Sequence, residues 1–164
     1  MKNFLLAALV LSAGCAVTIK ELHPHPGTTL KGTTGKFTLV TSAIADDYEP
    51  GRDVHLHDMK QTLQNAMQAA AGTRYSSKAD PDATRLVFSE LSPSFVKLGA
   101  DDNVILFTFR ASWQAPDGTV IADIAGNAGP TNPGEHSQKR RVEDAIEAMF
   151  QQLVNGLDNV RPLP

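Results

Sequence analysis

From Asn103 to Ala115 the side chains alternate between an apolar set and a more polar one. Ile105, Phe107, Phe109, Ala111 and Trp113 point one way, and Leu106, Thr108, Arg110 and Ser112 the other. A period of two puts successive side chains on opposite faces of a strand, so one face is buried and the other is wet. The run closes on Ala115-Pro116-Asp117-Gly118, a tight turn with proline at its second place. Val120, Ala122 and Ile124 then resume the inward face of another strand. A two-stranded ribbon is not stable alone in water, so a chain carrying this hairpin must supply more strands and an apolar layer to cover it.

Two amphipathic stretches can supply that layer. Asp53 is an N-cap candidate for a helix running to about Ala71, because Leu56, Met59, Leu63, Met67 and Ala70 recur at spacings of 3, 4, 4 and 3, with Gly72 as a stop. A second helix is expected from about Ser137 to Asn159, where Val142, Ile146, Met149, Leu153 and Leu157 mark one face. Lys36 to Ser42 is rich in strand formers. Arg85 to Leu91 begins another strand, broken or bulged near Pro93 and resuming through Phe95 to Leu98. The expected order is β-α-β-β-β-α, an α+β two-layer sandwich whose mainly antiparallel sheet carries both helices on one face, with Trp113 and the phenylalanines in the core. Residues 126 to 134 read as a loop, with three glycines and two prolines in nine positions.

The chain has 164 residues, 41% hydrophobic and 20% charged, which suits one globular core. Lys+Arg 15 against Asp+Glu 18 leaves a net charge of −3, which argues against a nucleic-acid binder driven by positive charge. One cysteine alone forms no intrachain disulfide, zinc ribbon or Cys-x-x-Cys redox pair. That cysteine, Cys15, follows a short leader. Lys2 precedes the uncharged run Phe4 to Leu11, eight residues and too short to span a bilayer core of about 30 Å as a helix.

The leader ends in Leu11-Ser12-Ala13-Gly14-Cys15, which resembles the lipobox of bacterial lipoproteins, with Ser12 where most lipoboxes have leucine and Leu11 one place earlier. The resemblance implies diacylglyceryl attachment to Cys15, cleavage after Gly14 and frequent acylation of the new amino terminus. Two or more chains hold a protein on a membrane where one does so only marginally. A plain secretory signal and a retained apolar helix are the alternatives. Ala16, rather than aspartate, follows the cysteine, which by resemblance to the enterobacterial sorting rule implies a lipid-anchored protein of the outer membrane, facing the periplasm. Without residues 1–14 the chain has 14 basic and 18 acidic residues. Residues 15–35, with two prolines, three glycines and five threonines after the cysteine, read as a lipidated N-terminus and flexible linker. The expected domain spans 36–159, with a tail at 160–164.

Candidate chemistry is sparse. His23 and His25 sit in the linker as His-Pro-His-Pro, and His55 and His57 open the expected first helix. Residues two apart on a helix are about 200° apart, so His55 and His57 would not chelate one ion there, whereas on a strand they would share a face. These four histidines are weak metal candidates, and no metal or other cofactor is expected. Lys139, Arg140 and Arg141 lie at a helix N-terminus, where the macrodipole disfavours cations; they are either a solvated face or a contact for lipid phosphate or an acidic partner. Asp46-Asp47 and Asp101-Asp102 read as surface or capping residues. No Gly-x-Ser-x-Gly, phosphate-binding loop or His-Glu-x-x-His occurs, so no enzyme activity is expected.

In size and element order, residues 36–159 resemble small envelope lipoproteins: the lipopolysaccharide-assembly plug lipoprotein, auxiliary lipoproteins of lipid-transport complexes and the YajG-like group. That resemblance implies a non-enzymatic accessory subunit with envelope protein partners and no nucleic acid. The wet sheet face around Arg110, Thr108 and Lys97 and the loop 126–134 are the surfaces expected to meet a partner. A lipid- or metal-binding periplasmic carrier is the alternative, and an envelope hydrolase the third.

Overall fold

The computed structural model describes residues 16–30, 35–51, 53–98, 102–131 and 137–160. In chain order these form β1 (Val17–Ile19), β2 (Phe37–Val40), β3 (Tyr48–Gly51), β4 (Val54–Leu56), α1 (Met59–Ala71) with a 3-10 turn at Gly72–Arg74, β5 (Thr84–Leu98), β6 (Asp102–Gln114), β7 (Val120–Ala128) and α2 (Gln138–Val160). The leader, Cys15, residues 132–136 and the last four residues fall outside this set.

The alternating run becomes β6, at the heart of a four-stranded sheet ordered β2-β5-β6-β7. Ile105, Phe107, Phe109, Ala111 and Trp113 are all buried, while Thr108 and Arg110 on the other face are exposed. The turn forms as its residues require: Gly118 N–H donates to Ala115 C=O at 2.9 Å, and Gly118 adopts φ +90°, where glycine carries no Cβ penalty. Val120 departs from expectation. The register slips between Trp113 and Gln114, leaving Ile121 as the extra residue, so Val120 pairs with Gln114 and is turned outward, 55% exposed.

β5 is continuous through Pro93, which sits opposite Phe107; the irregularity falls earlier, between Phe88 and Glu90. β2 pairs with β5 in parallel only from Thr84 to Val87. Beyond that point the far edge of β5 has no ladder in this sheet, and an edge is where proline is tolerated in a strand.

Both helices cover the inward face. α2 lies along β6 and β7, and α1 touches α2 and β2. The Trp113 indole N–H donates to Leu153 C=O at 2.8 Å, and its ring meets Phe37 edge-on at 5.8 Å. A Cβ on Gly156 would lie 2.4 Å from Ile124 Cδ1, so the missing side chain allows α2 to approach β7. The expected α+β architecture with two helices on the sheet is therefore present.

Three further expectations are corrected, the first being that residues 126–128 belong to the end of β7, paired with Phe107 to Phe109, and not to a loop. Residues 54–56 do not open α1; they form β4, paired in parallel with β1 and antiparallel with β3 in a second, three-stranded sheet ordered β1-β4-β3. The helix starts at Met59, after Asp58 in the left-handed region at φ 58°. Its first donors are met from a distant loop rather than by Asp53. Met59 N–H donates to Asp46 C=O and Lys60 N–H to Asp46 Oδ1, both at 2.9 Å. Leu56 misled the helical count because a buried strand residue three before Met59 satisfies the same spacing.

Residues 16–30 are also no free linker. After β1, Leu22, Pro24, Pro26 and Leu30 are buried while His23 and His25 face outward. This strap runs between the helices. Asn65 Nδ2 of α1 donates to Leu22 C=O, Leu30 N–H donates to Ala70 C=O, and the Arg74 guanidinium donates to Leu30 C=O while lying 5.3 Å over the Phe37 ring. Ile19, Leu22 and Leu30 belong to the same apolar cluster as Trp113.

Candidate functional site

The first three turns of α2 carry Arg140, Glu143, Asp144 and Glu147, and the strap lies against them. His23 N–H donates to Glu143 Oε1 at 2.9 Å and His25 N–H to Glu147 Oε1 at 2.8 Å. The two repeats match: two residues of extended or polyproline-like chain span about 6–7 Å, and four residues of helix about 6 Å. Prolines at 24 and 26 carry no N–H, so only the histidine backbones can donate, and they do so at the helix's own interval. His-Pro-His-Pro is thus a backbone ladder onto two glutamates, with its imidazoles turned outward.

Arg140 completes the cluster. Its guanidinium reaches Asp144 Oδ1 at 2.8 Å, Glu147 Oε1 at 3.0 Å and Glu143 Oε2 at 3.4 Å. The hydrogen bond to Glu147, assisted by the charges of Glu147 and Asp144, holds the guanidinium pKa above its ordinary value against the opposing effect of burial. Glu143 and Asp144 are buried. Of the expected basic trio, Arg140 is therefore committed to three carboxylates of its own helix. Arg141 is half-buried with its Nε enclosed and without a hydrogen-bond partner, and Lys139 alone is exposed.

β4 and the residue after it hold the second pair of histidines. Because this segment is a strand, His55 and His57 share a side, their rings nearly parallel at 16° with centroids 6.4 Å apart. Each faces a carboxylate: His55 Nδ1 lies 3.3 Å from Glu49 and His57 Nδ1 2.8 Å from Asp47. The helical geometry that set these two apart does not hold, since they are brought together. Among the described residues, however, no three His, Cys, Asp or Glu side chains converge as a metal centre, and His23 and His25 lie in the strap, against α2.

The polar sheet face is organised by short cross-strand contacts. Thr108 donates to Asn127 Oδ1 at 2.7 Å, and Arg110 lies 3.5 Å from Asp123. Lys97 belongs to β5, but its side chain lies outside the described set. At the opposite end of β5, an open groove of about 380 Å³ runs between β2 and residues 76–81, lined in part by Thr38, Val40, Ser76, Lys78 and Arg85. The Arg85 Nε beside it is buried and has no hydrogen-bond partner. Sequence reasoning missed this groove because its walls meet only through the parallel pairing of β2 with β5. Asp80 at its rim is tied to Lys36 at 2.9 Å, and that hydrogen bond holds the Asp80 carboxyl below the usual carboxylate range.

No helix among the described residues is long and apolar enough to cross a membrane. No protein-family model matches the chain, and no curated protein matches it in sequence. Among the solved structures that align with it are two that cover most of the chain. One is a minor lipoprotein from Acinetobacter baumannii, 16% identical, covering 80% of this chain and 98% of its own, with a TM-score of 0.45. The other is a Xanthomonas campestris protein of the DUF330 family, 11% identical, covering 88% of this chain and 96% of its own, with a TM-score of 0.48. At these identities no residue role passes from either to this chain.

Proposed function

We propose that the protein is an envelope lipoprotein, held by acyl chains on Cys15 and serving, without catalysis, as an accessory subunit that works through protein contacts. The observation that carries the reading is the placement of the chain's only cysteine directly behind an apolar leader and two small residues, Ala13 and Gly14. The body supports it by what it leaves uncovered: both helices lie on one face of the four-stranded sheet, and the opposite face, with Thr108 and Arg110, remains polar and exposed. That face is the surface assigned to a partner, and the outer membrane is the location that Ala16 favours.

Cys15→Ser should move the protein from the membrane fraction to the soluble periplasm; unchanged fractionation contradicts the anchor. In the enterobacterial setting, Ala16→Asp should keep the lipidated protein in the inner membrane, and an unshifted distribution removes the outer-membrane assignment. Photo-crosslinkers placed at positions 108 and 110 in intact cells should trap one envelope protein, whereas a trap only at control positions on the exposed side of α2 would move the partner surface elsewhere.

A further inference from the structure

The strap changes what the anchor can do, and this inference rests on the lipoprotein reading above. A flexible leash of some twenty residues would let the body stand tens of Å from the headgroups. Instead, Cys15 is joined to Ala16, and Val17 is already in β1, its N–H donating to Asp53 C=O at 2.6 Å and its backbone in register with Val54. Ile19 and Leu22 are buried just beyond, so this start is not free to peel away without exposing core. Two residues of chain span at most about 7 Å. The attachment point on Cys15 is therefore at most that length of chain from the start of β1.

The topology shows which end that is. β1 and β4 begin together, and Gly51, at the end of β3, pairs with Val54. A Cβ on Gly51 would lie 3.5 Å from Phe95 Cδ2, which brings the last part of β5 to the same end. Exposed large apolar side chains among the described residues are Val17, Val96, Val120 and Val160, and the first two lie at this end.

We infer that the lipidated protein sits directly on the bilayer, with the β1–β4 start and the end of β5, including Val17 and Val96, against the headgroups. The turn at 115–118 and Val120 then face away from the membrane. Val96 pairs with Val104, and Val120 with Gln114. Ten residues of β6 separate these pairs, about 33 Å at strand spacing. The polar sheet face stands upright between them, presented sideways to a neighbouring envelope protein.

The test uses the full lipidated protein in phosphatidylethanolamine–phosphatidylglycerol vesicles containing a headgroup-quencher lipid. Cys15 is consumed by lipid, so Val96→Cys and Val120→Cys each offer one thiol for a fluorophore. The label at 96 should lose most of its emission and the label at 120 should keep it. Equal emission from the two positions in protein that floats with vesicles overturns the seat while leaving the anchor intact. Protein that does not float overturns both readings. Inserting a long Gly-Ser segment between Cys15 and Ala16 should restore emission at position 96 with unchanged melting, and quenching that persists despite the insertion contradicts the role of the short tether.

Discussion

The β6–β7–α2 region and the N-terminal quarter of the chain share one apolar core but are built by opposite means. In the first, long elements pair with sequence neighbours through a tight turn, and each carries its own period. In the second, strands of three or four residues pair across long gaps, Val17 with Val54 and Phe37 with Thr84, and a proline-rich strap reaches α2 across 120 residues. The first region's structure is local and redundant. The second packs on a surface that the first supplies, so losses there should be graded by how much core each piece covers.

The largest effect should follow from removing the strap. A soluble chain beginning at Gly35, compared with one beginning at Ala16, loses Ile19, Leu22 and Leu30 from the core, at about 1.5–3 kcal/mol each. The total of several kcal/mol is comparable to the whole stability of a domain. Urea titration should show a strongly lowered midpoint or no cooperative transition, and equal midpoints would restore the linker reading. Next, Trp113→Ala should cost about 3–5 kcal/mol, through the cavity left in the core and the loss of the donor to Leu153 C=O. A loss below about 1 kcal/mol in the same assay would show that the hairpin is not the foundation.

A finer cut separates the strap's backbone from its side chains. His25→Pro removes the N–H that Glu147 accepts and should cost about 1 kcal/mol, while His25→Ala should stay within about 0.5 kcal/mol because the imidazole faces solvent. Equal losses would give the ring a role that the ladder does not explain. At Gly156→Ala two terms oppose each other. Helix propensity favours alanine by about 1 kcal/mol, but contact with Ile124 opposes it by about 1–3 kcal/mol. A modest net loss in melting temperature should result, and a gain would mean that α2 and β7 can part without cost.

Legibility followed the same division. The hairpin, α2, the end of α1 at Gly72 and the inward set from Ile105 to Trp113 could be read directly, because each is a period or a turn confined to one stretch of chain. Leu56 and the two histidines beside it could not, since three residues of strand fit a helical spacing when the next four turns are helical. His-Pro-His-Pro reads as linker by composition. Its alternation of buried proline and outward histidine becomes meaningful only beside glutamates one helical turn apart. Arg140 likewise read as one of a run of three on a solvated face or a partner contact, and Glu143, Asp144 and Glu147 close around it.

By itself the sequence determined a single cysteine behind a short apolar run, a wet-faced antiparallel hairpin and two amphipathic helices to cover it, because covalent order and local periodicity decide these. Tertiary structure alone decided that the segment after the cysteine is a strap rather than a leash, that His55 in β4 and His57 just after it share a side, and that β2 joins β5 to form a groove. Each depends on pairing between distant segments, where burial and hydrogen-bond satisfaction are settled by what the rest of the fold places opposite them.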